Sequence, residues 1–164
     1  FMMMVDAFKP LGVTELAVDS IFMMPQLGVL SSIHPEAALE VFNKDCLVRL
    51  GSCITPIGKA KPGEVILNAV LTLSDGTIKE QELISGEIVK LEEPYEAIQA
   101  VLKPSKGMDI GGGKGQEIET RIFGGMVGLI FDGRDRPITI PTNQEERLKS
   151  IRLWSDALNE YPKN

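Results

Sequence analysis

The segment GGMVGLIFDGRDRP, Gly124–Pro137, places three glycines next to a short apolar run. Gly124, Gly125 and Gly128 fall in a stretch whose other residues are typical of a β-strand. Glycine weakens a strand interior and usually marks a bulge or the close approach of another backbone. We therefore expect one of these two features in this strand.

The end of the same segment carries two arginines and two acidic residues. Arg134 and Arg136 are two positions apart and would point to the same side of an extended chain, with Asp132 and Asp135 beside them. The guanidinium groups could bind a carboxylate or a phosphate through forked hydrogen bonds. The favoured interpretation is that the acidic side chains pair with the arginines at a surface turn, where an ion pair stabilises little.

The hydrophobic pattern is that of β-strands from Cys46 onward. Short alternating segments follow one another between turn signals: CLVRLGSCITPIG, EVILNAVLTL, TIKEQELI, EIVKLEE, EAIQAVLKP, EIETRIFG, MVGLIFDG and PITI. The sequence SDGT, Ser74–Thr77, indicates a hairpin because Asp-Gly tolerates the positive φ angles of such turns. Residues 46–141 are therefore predicted to form a seven- or eight-stranded β-barrel or sandwich, which hides strand edges.

Helical patterns stand on both sides of this β-rich region. Residues 1–45 predict a short α/β segment, a strand at Thr14–Asp19 followed by two helices. The first of these helices has apolar residues at Met24, Leu27, Leu30 and Ile33. Residues 142–164 predict a C-terminal helix that packs on the β-rich part. It would begin with a capping box of Thr142 and Glu145, and would carry an apolar stripe of Leu148, Ile151, Trp154 and Leu158. The predicted fold class is thus α+β, mainly β.

Composition excludes several classes of function. The net charge is −6 and no run of lysines or arginines occurs, so a nucleic-acid partner is not expected. Apolar runs fall far short of the roughly 20 residues that cross a bilayer, so no membrane partner is expected. Cys46 and Cys53 do not have metal-ligand spacing and are interpreted as buried reduced thiols, which predicts a cytoplasmic location.

The sequence DIGGGKG, Asp109–Gly115, is the second candidate site. It lacks the spacing and the hydroxyl of a P-loop, and the strand-like EIETRIF after it excludes a dinucleotide-binding turn. A glycine-rich turn can still present backbone N–H groups to a phosphate, and a lysine can add charge. The residues for this would be Asp109, Gly111, Gly112, Gly113 and Lys114. The favoured interpretation is a plain turn between strands.

No catalytic set is apparent, and the chain is predicted not to be an enzyme. A nucleophile needs a base beside it. His34 is the sole histidine, and it stands before Pro35 at a helix start, where a capping role is expected. No metal site is predicted.

Several segments in order resemble the glutamate (methylaspartate) mutase accessory protein family. They are VDAFKPLGVTELAVD, MMPQLGVLSSIHPEAALEVF, LVRLGSCITPIG, GMDIGGGKGQEIE, GGMVGLIFDGRDRP and EERLKSIRLWSDAL, and together they cover nearly the whole chain. The resemblance implies that the chain is the C-terminal part of a longer protein with an actin-like ATPase domain. On that basis residues 1–45 would be the tail of the ATPase domain.

The resemblance also implies an accessory role. The longer protein would use ATP and Mg²⁺ to reactivate a cobalamin-dependent glutamate mutase, and this chain, without a cofactor of its own, would contact a mutase subunit or the ATPase domain. The glycine-rich edges are the candidate contacts. Two alternatives are a phosphate- or nucleotide-binding module built on residues 109–115, with Arg134 and Arg136, and a structural domain that forms a homo-oligomer. The methionines near the start would suit a segment that is buried against a partner domain.

Overall fold

The structure is a computed structural model in which residues 1–159 are described, and it confirms the α+β, mainly β class. The helices are α1 (Met2–Phe8), α2 (Met24–Ser31) and α3 (Pro35–Val41), a π-helical turn (Phe42–Cys46), and α4 (Gln144–Leu158). The strands are β1 (Gly12–Asp19), β2 (Leu47–Thr55), β3 (Ile57–Gly58), β4 (Val65–Thr72), β5 (Ile78–Ile84), β6 (Ile88–Leu91), β7 (Ala97–Pro104), β8 (Met108–Asp109), β9 (Ile118–Phe123) and β10 (Gly128–Asp132).

The strands form two four-stranded sheets and one two-stranded ribbon within this range. The first sheet has the order β1-β2-β10-β6, the second has β5-β4-β7-β9, and β3 pairs with β8. The sheets do not close into a barrel, and the arrangement is compatible with the sandwich alternative. All pairs are antiparallel except β10 with β2, which is parallel.

The predicted strand PITI is absent. Pro137–Ile140 lies outside the strands. Prolines at positions 137 and 141 lack the N–H groups that a strand partner would need, which explains why this apolar run is not paired. The predicted SDGT hairpin is confirmed: it joins β4 to β5, with Gly76 at φ 83°.

The main hydrophobic core lies between the two sheets. It is built from residues of both sheets and of the β8 region: Ile54, Ile66, Leu67, Ala69, Leu71, Leu83, Ile98, Ala100, Leu102, Met108, Ile110, Ile122, Leu129 and Phe131. A second cluster covers the other face of the first sheet, where Ile130 packs with Val5 of α1 and Leu158 of α4. Strand β10 is therefore buried on both faces, as is typical of a strand in a parallel pair.

The close backbone approach expected at the glycines is confirmed, but Gly124 and Gly125 lie in the connection between β9 and β10 and not within a strand as expected. A Cβ atom on Gly124 would lie 2.0 Å from the carbonyl oxygen of Pro94, and one on Gly125 would lie 2.6 Å from the carbonyl carbon of Leu50. Gly128 meets β6, where a Cβ would lie 2.1 Å from the Leu91 oxygen. No side chain fits these positions, so the chain can cross from β9 in one sheet to β10 in the other only with glycine there.

The caps of two helices differ from those predicted. Asn143, not Thr142, is the N-cap of α4, and its Oδ1 accepts hydrogen bonds from the backbone N–H of Glu145 (2.8 Å) and Glu146 (3.3 Å). His34 stands at the N-cap of α3, but its side chain makes no capping hydrogen bond, so the capping role expected for it is wrong.

The two ends of the described chain meet on the first sheet. Helix α4 packs against β6, and Trp154 and Leu158 join the cluster around Val5. Leu148 and Ile151, from the same predicted stripe, remain about half exposed. The part of the predicted helix at 160–164 lies outside the described residues. Strand β1 pairs along its length with β2. The domain boundary expected at residue 45 therefore falls between two strands of one sheet.

Within residues 1–159, none of the helices has both the length and the apolar character that crossing a membrane would require.

The parallel pair β2–β10 gives a first prediction. A Cβ on Gly51 would lie 1.8 Å from the carbonyl oxygen of Gly128, and Gly51 has φ 133°; Gly76 also has a positive φ, but a Cβ added to it would meet nothing within 4 Å. We expect Gly76→Ala to lower the free energy of unfolding by about 1–2 kcal/mol, which is the backbone cost alone. Gly51→Ala should lower the free energy of unfolding by at least about 3 kcal/mol, because the new methyl group also forces β2 and β10 apart, in addition to the backbone cost. Urea unfolding of both variants measures the difference, and equal losses would contradict the importance of this contact.

Candidate functional site

The predicted arginine pair meets on one buried carboxylate. Asp132 is the last residue of β10 and is fully buried. Its Oδ1 accepts hydrogen bonds from the backbone N (3.1 Å) and Nε (2.9 Å) of Arg134, and its Oδ2 accepts from Nη2 of Arg134 (2.8 Å) and Nη2 of Arg136 (2.6 Å). The pairing of acid and arginine is as expected, but it lies in the interior and not at a surface turn. Asp135 is exposed, and only its backbone carbonyl reaches Arg136.

Arg134 also joins both terminal helices to this centre. Its Nη2 donates to Oδ1 of Asp6 on α1 at 2.7 Å, and its Cζ lies 5.1 Å from the centroid of the Trp154 ring on α4. Trp154 is fixed in turn, because its Nε1 donates to the carbonyl of Gly86 at 2.8 Å. The cluster of Asp6, Asp132, Arg134 and Arg136, two acids and two bases, is electrically balanced.

Hydrogen bonds and charges within the cluster shift the pKa values of Asp132 and Arg134. Burial acts to raise the pKa of Asp132, but the hydrogen bonds and charges of Arg134 and Arg136 outweigh burial and hold that pKa below its ordinary value. Burial acts to lower the pKa of Arg134, and Asp132 and Asp6 reverse that effect and raise it. Burial raises the pKa of the neighbouring Cys53 thiol to about 11, so this cysteine is protonated at neutral pH and is a poor nucleophile.

The cluster leaves little room for a ligand. Arg136 Nη1 donates to the carbonyls of Arg134 (3.4 Å) and Asp135 (3.3 Å). The Nε atom of Arg136 is buried, and it has no hydrogen-bond partner among residues 1–159. Arg136 lines a cavity of about 20 Å³ together with Met108 and Gly133. That volume holds about one water molecule and is too small for a phosphate group. The arrangement is suited to fixing the chain, not to chemistry on a substrate.

The glycine-rich turn is organised by its own acidic residue. Oδ1 of Asp109 accepts hydrogen bonds from the backbone N–H of Gly111 (2.7 Å) and Gly113 (3.0 Å). A carboxylate thus occupies the position that a phosphate oxygen would take on these amides. A Cβ on Gly112 would lie 2.4 Å from Cγ2 of Ile118, and Lys114 is exposed. Among the described residues, no hydrogen bond or ion pair joins this turn to Asp132, Arg134 or Arg136.

A third candidate is only partly visible in the sequence, and we name it the α2–α3 surface. It consists of the β1–α2 turn and the outer faces of α2 and α3. Its large exposed apolar residues are Ile21, Phe22, Met24, Val29, Ile33 and Leu39. Phe22 is 83% exposed and has φ 54°, a left-handed backbone conformation that bulky residues rarely adopt.

Asp19 holds the turn that presents Phe22. Its carboxylate accepts hydrogen bonds from the backbone N–H of Ile21 (3.2 Å), Met23 (3.4 Å) and Met24 (3.2 Å). Partial burial acts to raise the pKa of Asp19, but these hydrogen bonds outweigh it and lower the pKa. The hydroxyl of Ser20 donates to the carbonyl of Cys46 at 3.1 Å and ties the turn to the start of β2. The strained position of Phe22 is therefore fixed from several directions.

An apolar groove runs between α2 and α3. It is lined by Met24, Leu27, Gly28, Ser31, Pro35, Ala38, Leu39 and Phe42. Nothing lies within 4 Å of a Cβ placed on Gly28, so a methyl group there would meet no other part of this chain. The segment Ser20–Pro35 has no Asp, Glu, Lys or Arg. Helix α2 thus has no charged side chain, although Gln26 and Ser31 on it are polar and exposed.

The sequence pattern predicts this helix but not its exposure. The pattern places four apolar residues on one side of a helix: Met24, Leu27, Leu30 and Ile33. They lie on α2 or just after its end, but only Leu27 among them is buried, while Met24 and Ile33 are exposed. The signal that marks the surface is the uncharged run, because a helix on the outside of a protein usually carries charged residues on its solvent face.

The buried cluster gives a second prediction. Asp132→Asn should lower the free energy of unfolding by about 3–5 kcal/mol at neutral pH, because two buried guanidinium groups lose their counter-charge. The folded pKa of Asp132 is lowered, so its stabilisation is present above the unfolded pKa of about 3.9 and is lost as pH falls toward the folded pKa. The difference between wild type and variant should therefore shrink below about pH 4. Urea unfolding across pH measures it, with exposed Asp135→Asn as the matched control, expected within about 0.5 kcal/mol of wild type. A pH-independent difference would contradict the charge argument.

Comparison of the chain with protein-family models, curated proteins and solved structures gives no match. The resemblance to the mutase accessory family stays a prediction that depends on the sequence segments quoted above.

Proposed function

We propose that this chain is a non-catalytic protein-interaction domain and that its partner docks on the α2–α3 surface. The observation that carries the proposal is Phe22, an exposed aromatic side chain on a backbone with φ 54°. Exposure of a large apolar side chain and a left-handed backbone each cost free energy. Backbone strain of this kind is concentrated at functional sites, where surrounding contacts hold it.

The contacts of Asp19 make Phe22 suitable as an anchor. Aromatic side chains that enter a pocket on the partner often contribute most of the binding free energy at an interface. A turn that is already fixed in its bound shape loses less conformational entropy on binding. Three backbone hydrogen bonds to Asp19 supply that rigidity. The uncharged groove next to Phe22 provides apolar area without a charge to desolvate.

The identity of the partner is proposed from the family resemblance. The longer protein would be an ATP-dependent accessory factor, of reactivating type, for a cytoplasmic cobalamin-dependent glutamate mutase. ATP and Mg²⁺ would bind to its actin-like ATPase domain, and this chain would contact a mutase subunit. Phosphate binding at residues 109–115 has less support, because the Asp109 carboxylate already accepts from the amides of Gly111 and Gly113.

Binding to purified, cobalamin-loaded glutamate mutase gives the third prediction. Phe22→Gly should weaken binding at least tenfold, because the anchor is lost, while the free energy of unfolding stays equal or rises by up to about 1 kcal/mol as backbone strain is relieved. Biolayer interferometry measures the affinity, and urea unfolding measures the stability. Met126 is 80% exposed on the β9–β10 connection, so Met126→Gly is the matched control and should bind as wild type does. No binding of the wild-type chain, or equal losses in both variants, would refute the proposal.

Calorimetric titration with ATP–Mg²⁺ separates this function from the phosphate-binding alternative. We expect no heat of binding from the wild-type chain, since the Asp109 carboxylate competes with phosphate for the turn amides. Micromolar affinity that is lost in Lys114→Ala would establish the alternative and overturn the division of roles proposed here.

A further inference from the structure

The small cavity beside Arg136 lies where three parts of the fold meet. It is bordered by Gly58 and Met108 of the β3–β8 ribbon, by Ser85 directly after β5, and by residues 133–136 after β10. Strand β5 belongs to the second sheet and β10 to the first. A group bound in this cavity would therefore contact both sheets and the ribbon at once.

The side chain of Arg136 brings an unused hydrogen-bond donor to the cavity. This side chain is only 6% exposed, and two of its three nitrogen atoms are engaged. Nη2 donates to the Asp132 carboxylate, and Nη1 donates to the carbonyls of Arg134 and Asp135. Nε is buried and has no partner among the described residues. Nearly all buried donors in folded proteins are paired with a protein group or an ordered water, so this N–H requires an acceptor.

The size and the charge of the cavity select that acceptor. A cavity of about 20 Å³ holds one water molecule and nothing much larger. The positive charges of Arg134 and Arg136 are balanced by Asp6 and Asp132, and Asp135 also borders the cavity. This balance leaves no net positive charge to compensate a buried anion, whose desolvation would be costly. A neutral acceptor of the size of water satisfies both conditions.

We propose that one structural water occupies this cavity, accepts a hydrogen bond from Nε of Arg136 and donates one to the Ser85 hydroxyl. A buried water typically makes about three hydrogen bonds, and a peptide group of the cavity wall supplies the third. The water links the chain after β10 to the turn after β5, and so joins the two sheets next to the buried Asp132. This inference goes beyond the proposed function and does not depend on the α2–α3 surface.

Nuclear magnetic resonance of the ¹⁵N-labelled chain tests the site directly. The Nε–H proton of Arg136 should give cross-peaks to water of opposite sign in the laboratory-frame and rotating-frame Overhauser experiments, which is the signature of a water that stays bound. Cross-peaks of the same sign in both experiments would show direct exchange of this proton with bulk water. That result, or the absence of any cross-peak, would overturn the proposal.

Two variants separate the cavity from its polar partner. Ala60 borders the cavity and is partly buried, so Ala60→Val adds two methyl groups to the wall. Oxygen-17 relaxation dispersion should count one long-lived water fewer in this variant, while Ala97→Val, at an exposed position of β7, should leave the count unchanged. Ser85→Ala should shorten the residence time of the water by about tenfold, because one hydrogen bond is lost. An unchanged count in Ala60→Val, or an unchanged residence time in Ser85→Ala, would contradict the assignment.

Chloride is the other acceptor that this test must exclude. Replacement of sodium chloride by sodium sulfate in the buffer should change neither the water cross-peak nor the chemical shift of the Arg136 Nε–H. A saturable shift of this signal on addition of chloride, together with loss of the water cross-peak, would identify an anion site and overturn the charge argument.

Discussion

The close contact of Gly51 with Gly128 determines the arrangement of the first sheet. A Cβ on Gly51 would lie 1.8 Å from the Gly128 oxygen, so β2 and β10 can run side by side only because Gly51 lacks a side chain. The parallel pairing starts at this contact, where Gly128 lies beside Gly51, and it continues to Phe131 beside Ile54. Since parallel strands end at the same edge of a sheet, the pairing also carries Thr55 and Asp132 together into the interior, where both are fully buried.

The arginine cluster follows from that burial. A lone ionised carboxylate in the interior would be strongly destabilising. The two guanidinium groups and the backbone N–H of Arg134 donate hydrogen bonds to both oxygens of Asp132, and the excess positive charge is balanced by Asp6 from α1. Arg134 then stacks on Trp154, which brings α4 to the same place. The polar centre thus joins sheet and terminal helices into one unit, and this structural role explains its residues without a ligand.

Local sequence rules identify the features that depend on neighbours in the chain. The strand periodicity, the SDGT hairpin and the glycine positions at 124, 125 and 128 each follow from constraints acting within a few residues, and the structure has all of them. The depth of the arginine pair could not be predicted, because it depends on which strand β10 pairs with, and that partner is about 75 residues away in the sequence. The sequence likewise does not show that the Asp109 carboxylate bonds to the turn's own amides, where a phosphate would otherwise bind. The exposure of Phe22 depends on the absence of covering structure, which no local pattern encodes.

The energetics of the α2–α3 surface explain why a strained anchor is useful there. Full burial of Phe22, Met24, Val29 and Leu39 would contribute about 1.5–3 kcal/mol for each side chain, or roughly 6–12 kcal/mol in all. Association costs about 4–15 kcal/mol in lost freedom, so apolar area alone gives at best weak binding. A turn held by Asp19 reduces the part of that cost that comes from ordering the loop. The strain at Phe22 is then already present in the free protein, where the fold can sustain it, and under the proposed function the aromatic ring would be placed for a partner before binding. With a flexible turn, the same surface would also have to offset the cost of ordering the loop, which leaves less of the free energy of apolar burial for binding.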